Sequence, residues 1–192
     1  MRLTCAASGL ASVVVFVAAL LVIASLTPGF DAWQSYVSEL GADGQPYAVC
    51  WNVIGFLGVG LALTIFGWCY GRLLGDRWVS SLLATFGVGF AVAALPIEST
   101  DSQTPLTKTH IVAICLSLAG WSLGLARIAG NRSLDHLTLR RANLAAVLMV
   151  AAMLGGAVGV WSMPVAHRLV FAVVFGWVAV TSIAVVAGRG AI

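Results

Sequence analysis

The sequence predicts an all-α membrane protein: one polytopic bundle of six transmembrane helices with both termini in the cytoplasm. Composition is the first observation that predicts it. Of 192 residues, 60% are hydrophobic and 9% charged, with a mean hydropathy of +1.01, far from the balance of soluble domains. The second is the spacing of the charges. The ten Lys and Arg and seven Asp and Glu cluster between uncharged runs at 3–30, 44–71, 78–97, 109–126, 142–167 and 169–188. Each run can cross a hydrocarbon core of about 30 Å as a helix of roughly 17–25 residues. The third is the 21 glycines, since small residues let membrane helices approach closely.

The spans are predicted near 10–26, 49–71, 78–96, 110–128, 143–161 and 167–186 of a single domain covering 1–192. Span 1 follows a short segment containing Arg2 and ends at Leu26-Thr27-Pro28-Gly29-Phe30 without a good small-x-small cleavage site, so it reads as an uncleaved signal-anchor helix. Strands do not fit. The runs exceed the roughly 9–11 residues of a barrel strand and lack polar alternation.

Orientation follows from basic residues in the short loops, which favour the cytoplasmic side. With the N-terminus inside, that side holds Arg2, Arg72, Arg77, Arg127, Arg132, Arg140, Arg141 and Arg189, and the other holds Lys108 and Arg168. The expected setting is the bacterial plasma membrane, and the expected partners are membrane lipids. The basic excess suits anionic lipid headgroups. Nucleic acid is excluded as a partner, because no basic stripe with interleaved aromatics exists to follow a phosphate backbone.

Loops 27–48 and 97–109 are predicted outside and 129–141 inside. Chemistry is therefore expected at helix ends and in these loops. Trp33-Gln34-Ser35-Tyr36-Val37-Ser38-Glu39-Leu40-Gly41 reads either as an interfacial segment with Trp33 and Tyr36 at headgroup level, or as a lid that lowers Ser38 and Glu39 into the bundle mouth. Asn52 opens span 2 as a helix-bridging amide or a ligand contact. Pro96 ends or kinks span 3, which sets Glu98 and Asp101 near a mouth shared with Lys108 and His110. His167 and Arg168 open span 6 on the same side. The candidates for catalysis are Ser38, Glu39, Glu98, Asp101, His110 and His167, and those for ligand binding are Asn52, Arg168, Trp33 and Tyr36. Arg168 suits an ion pair with Glu39, Glu98 or Asp101, or a lipid phosphate. His136, beside Asp135, is expected in the cytoplasmic loop.

No cofactor is expected. The nearest approach to a metal site is zinc on Asp101, His110 and His167, which lacks a paired-histidine spacing. Cys5, Cys50, Cys69 and Cys115 form no disulfide framework. The absence of Asp, Glu, Lys and Arg from the span interiors argues against a central proton relay. Gly67/Gly71/Gly75, Gly120/Gly124 and Gly155/Gly159 are spaced as helix-contact faces and could serve oligomerisation.

Ser38-Glu39-Leu40-Gly41 after the first span, Asn52 opening the second, Pro96 to Asp101 leaving the third, His110 opening the fourth and a polar pair opening the sixth together resemble the six-span bacterial and archaeal family named domain of unknown function 998. The resemblance implies this architecture with polar residues gathered at one face, and implies no reaction. His167 stands before Arg168 where members tend to carry an acid. A looser similarity links Ser38, Asp101, His110 and His167 to the multi-span hydrolases that include alkaline ceramidases, although a third histidine on that side is missing. The reading favoured is a membrane protein that binds or handles a lipid or small amphiphile at an outward-facing polar vestibule. A membrane-embedded, metal-dependent lipid hydrolase and a structural or regulatory subunit of a membrane complex are the alternatives.

Overall fold

The computed structural model describes residues 1–98 and 103–188. Its six long helices are α1 (Arg2–Leu26), α2 (Ala48–Leu73), α3 (Arg77–Val92), α4 (Pro105–Gly130), α5 (His136–Ala157) and α6 (Met163–Val186), with a short 3₁₀ turn, Val37–Gly41, between α1 and α2. Five of these are long and apolar enough to cross a membrane. The exception is α3. Its 16 residues rise about 24 Å at 1.5 Å each.

Each helix packs on its chain neighbours, and α1 packs on α6, so the six close a ring in sequence order. The ring is filled by aromatic side chains. Phe16 of α1 stacks on Phe175 at 4.2 Å and also meets Trp51, Phe90 and Phe171. Trp121 of α4 meets Trp177 of α6 edge-on at 6.0 Å. Such tilted and edge-on pairs are the arrangement the ring quadrupole favours. Trp51 and Phe56, one turn of a π-helix apart, both reach this core because α2 is π-helical over Trp51–Gly58.

The helix ends differ from the sequence expectation wherever a cap lies outside the expected span. Thr104 accepts the Thr107 N–H and Pro105 stands in the first turn, so α4 starts five residues before the expected position 110. Lys108 and Thr109 are therefore helical. Asp135 accepts from Leu137 and Thr138, which makes His136 the first residue of α5 and not part of a loop. Ser162 caps α6 with Pro164 behind it, so His167 and Arg168 lie in the second turn. At the other ends, α3 stops at Val92, before Pro96, and α5 stops at Ala157, where Gly159 turns the chain with φ +78°. Residues 2–9, ahead of the expected first span, are helical too. Cys5, Ala6 and Gly9 are buried in the bundle.

The glycine pairs are taken up inside the bundle. Gly67 and Gly71 of α2 lie against the backbone of Leu83 and Ser80 on α3, while Gly120 and Gly124 of α4 face Leu82 and Leu83. Gly155 lies under the Trp161 ring, and Gly75 and Gly159 sit at positive φ in turns.

Candidate functional site

Three contacts gather the loops at one end of the ring. The Asp43 N–H donates to the Ile97 carbonyl at 3.0 Å, joining the α1–α2 loop to the α3–α4 loop. The Ser162 hydroxyl donates to the Trp33 carbonyl at 3.1 Å, adding the α5–α6 turn. Within the first loop, Glu39 accepts the Tyr36 N–H at 2.8 Å, while the Glu39 N–H returns to the Tyr36 carbonyl at 3.0 Å. This reciprocal pair fixes the 3₁₀ turn that carries Ser38 and Glu39.

Beneath these loops lies a cavity of about 880 Å³, within the size range of small-molecule sites. Its mouth is polar: Tyr36, Ser38, Glu39, Gln45, Glu98, Thr107, His110 and His167. Its inner arm is apolar, formed by Ile114, Cys115 and Leu118 of α4, Met153 of α5 and Phe171 of α6. Ile111 and Cys115 line this space and are exposed. Along this wall, α4 and α5 touch each other least of all the neighbours in the ring. The cavity therefore has a polar end and an apolar arm along the loosest seam of the ring.

Each mouth residue is held by something identifiable. His110 is buried at 6% exposure, and its Nδ1 lies 3.2 Å from the Leu95 carbonyl oxygen. A carbonyl only accepts, so Nδ1 carries the proton, and the Ala93 backbone also hydrogen-bonds to this imidazole. The Phe56 ring packs edge-on to the His110 imidazole at 5.6 Å, and Tyr36 does the same to His167 at 5.1 Å. The Thr107 hydroxyl oxygen accepts the Glu98 N–H at 3.0 Å and the Thr104 hydroxyl at 2.9 Å. That fixes the backbone of Glu98 above the first turn of α4.

Of the residues singled out in the sequence, Tyr36, Ser38, Glu39, Glu98, His110 and His167 come together around this space. Asn52, Trp33 and Arg168 do not line it. The Asn52 amide donates to the Gly41 carbonyl at 2.9 Å, bridging α2 to the 3₁₀ turn. Trp33 is 72% exposed. Arg168 lies over the Phe30 ring at 5.7 Å and donates to the Pro164 carbonyl. The ion pair expected between Arg168 and Glu39 or Glu98 is not formed. Arg127–Asp76 is the ion pair found among the described residues. Asp101 lies outside the described residues, and among those described no three His, Cys, Asp or Glu side chains gather as a metal-binding group.

Sequence reasoning missed Gln45, Phe56, Thr107, Met153, Phe171 and the α4 wall. The wall had a signal. Counting from His110 at helical spacing gives Thr107, Ile111, Ile114 and Leu118 on one face.

No curated protein and no solved structure matches the chain. A family model described as "Protein of unknown function (DUF998)" matches residues 10–191, and with its landmark residues placed as above, the chain belongs to that family of integral membrane proteins.

Proposed function

We propose that this protein binds a lipid or small amphiphile, with the head in the polar mouth and the chain in the apolar arm. The observation that carries the reading is the division of one cavity into a polar end and an apolar end, with Ile111 and Cys115 exposed along its lining. An amphiphile already in the bilayer has its chain at the depth of Ile114 and Leu118. Entry from the side then leaves the chain in an apolar setting throughout. The orientation we propose puts the mouth outside and both termini in the cytoplasm of a bacterial cell, from the weight of arginine at the opposite end.

The test is native mass spectrometry of the full chain in a mild neutral detergent, comparing wild type with Ile114→Trp and Met153→Trp. Co-purified amphiphile on the wild type, lost when either indole fills the arm of a still monodisperse protein, is the expected result. An empty wild type, or ligand indifferent to both substitutions, overturns the reading.

The gathering of Ser38, Glu39, Glu98, His110 and His167 around the same space favours lipid hydrolysis as the second reading. There an imidazole would shuttle a proton beside a carboxylate. Turnover of a lipid ester or amide that disappears in both His110→Asn and His167→Asn would establish it, with bound zinc measured in parallel.

A further inference from the structure

We infer that the amphiphile selected by this cavity carries a cationic, ammonium-type head. The inference rests on the amphiphile reading above and names the chemical class of its ligand. Two carboxylates, Glu39 and Glu98, line the mouth, while no lysine or arginine does so among the described residues. The other polar groups there are the uncharged side chains of Ser38, Gln45, Thr107 and Tyr36 and the two imidazoles of His110 and His167. Of the bases adjacent in sequence, Lys108 is exposed, and the Arg168 guanidinium packs over Phe30, outside the cavity lining but near enough to act on Glu39.

The carboxylates are also short of partners. Glu39 uses one oxygen on the Tyr36 N–H, and its second oxygen has no hydrogen-bond donor among the described residues. Glu98 is fixed through its backbone N–H to Thr107, and its carboxylate makes no hydrogen bond or ion pair with a described residue. Two half-buried carboxylates, of which Glu39 feels Arg168 without forming an ion pair and Glu98 has no basic partner among the described residues, leave the mouth with an excess of negative charge that attracts a cationic head and opposes a phosphate, more strongly than in open water because the surroundings are less polarisable. The ring of Tyr36, which lines the same mouth, adds an aromatic surface of the kind that holds ammonium groups. A phosphate head would meet the same carboxylates with no lysine or arginine among the described lining residues to oppose them. The mouth therefore discriminates by repulsion as well as attraction.

The test uses the full chain in a neutral detergent at low ionic strength and mildly alkaline pH. Three amphiphiles with the same dodecyl chain compete for it: dodecyltrimethylammonium, dodecyl phosphate and dodecyl glycerol ether. Bound amphiphile is counted by native mass spectrometry. We expect the ammonium to be preferred over the phosphate by about tenfold or more, and the preference to collapse to within about threefold in Glu39→Gln/Glu98→Gln while the uncharged ether still binds. Glutamine keeps an acceptor for the Tyr36 N–H. The single Glu98→Gln variant, which leaves the Glu39 turn untouched, is expected to fall between and serves if the double variant does not purify. Equal binding of all three, a preference for phosphate, or an ammonium preference that survives the glutamines each overturn the charge inference and leave the amphiphile site standing. Failure of every head group to bind overturns both.

Discussion

The His110 imidazole donates from Nδ1 to the Leu95 carbonyl oxygen across 3.2 Å, tying the second turn of α4 to the turn that leaves α3. The ring thus holds the fold together while lining the cavity, and two substitutions separate these roles. His110→Ala leaves the Leu95 carbonyl without that donor, a loss of about 1–3 kcal/mol where the acceptor stays buried. Asparagine can set its amide nitrogen near the position of Nδ1. Thermal unfolding in detergent is therefore expected to show a lowered midpoint for His110→Ala and a near-native one for His110→Asn. Both should weaken amphiphile binding, since both remove an imidazole that lines the mouth. An Asn variant as unstable as the Ala variant would show that the hydrogen bond is not what His110 contributes.

A second prediction concerns the α2–α3 crossing. A Cβ on Gly71 would run into the backbone nitrogen and Cα of Ser80, atoms that cannot rotate away, and Gly60, Gly67 and Gly87 are enclosed in the same manner. Gly71→Ala should cost about 1–3 kcal/mol through overpacking. Gly176, on α6, has nothing within 4 Å of the added carbon. Gly176→Ala should be neutral or stabilising by up to about 1 kcal/mol from helix propensity. Size-exclusion profiles and unfolding midpoints of the two variants give the comparison.

Acid sensitivity should arise at the two helix-capping aspartates, Asp76 and Asp135, and Asp76 gives the sharper test because it also meets Arg127. Its Oδ1 caps α3 by accepting from Trp78 and Val79, and its Oδ2 accepts from the Arg127 Nε at 2.7 Å. Burial alone would raise this carboxyl, but the Val79 N–H, the Arg127 guanidinium and the Trp78 N–H outweigh it, so it is held below the usual carboxylate value. A depressed value in the fold means that the stabilisation is complete above the unfolded value of about 3.9 and fades as pH falls through the lower folded value. Asp76→Ala should lose about 0.5–2 kcal/mol of capping at neutral pH. The half-exposed Arg127 adds no more than about 1 kcal/mol. The gap between wild type and variant should close as unfolding is followed to low pH. A gap that stays constant into acid would assign the loss to packing.

The count and order of the helices were legible in the sequence because charges cannot sit cheaply in hydrocarbon, so the gaps between Arg2, Asp31, Asp43 and Arg72 delimit helices without help from packing. The ends were not, because Thr104, Asp135 and Ser162 cap from outside the expected spans and draw Lys108, His136 and Ala166 into helices. The mouth was legible for a topological reason: an even alternation of spans delivers Ser38, Glu39, Glu98, His110 and His167 to one end. The apolar arm was not. It exists because α4 and α5 pack loosely, and no single residue of Ile114, Leu118 or Met153 announces a gap between helices. Of the two roles that the sequence offers for Asn52, the bridging amide matches its hydrogen bond to the Gly41 carbonyl.

Topology gives a further prediction. In a cysteine-free background, Gln34→Cys lies in the exposed part of the α1–α2 loop and Ser133→Cys in the exposed α4–α5 turn, at opposite ends of the ring. A membrane-impermeant maleimide applied to intact cells should label position 34 and spare 133 until the membrane is opened. The reverse pattern would invert the proposed orientation and place the cavity mouth in the cytoplasm.

The bridge from Asn52 to Gly41 predicts an effect on the site at a distance. Gly41 closes the 3₁₀ turn bearing Ser38 and Glu39, and a Cβ there would displace the Asn52 amide from its place against the turn. Asn52→Leu removes the donor and places a branched side chain against the same backbone. The lost hydrogen bond is worth about 0.5–1.5 kcal/mol in stability. The larger consequence is positional. Freed from α2, the turn no longer holds Ser38 and Glu39 at a fixed depth in the mouth, so amphiphile affinity should fall although Asn52 touches no ligand. Hydrogen exchange should rise at residues 37–41 and remain native in α5, which Asn52 does not contact. If affinity falls with no change in exchange at 37–41, Asn52 acts on the ligand directly and the bridging role is wrong.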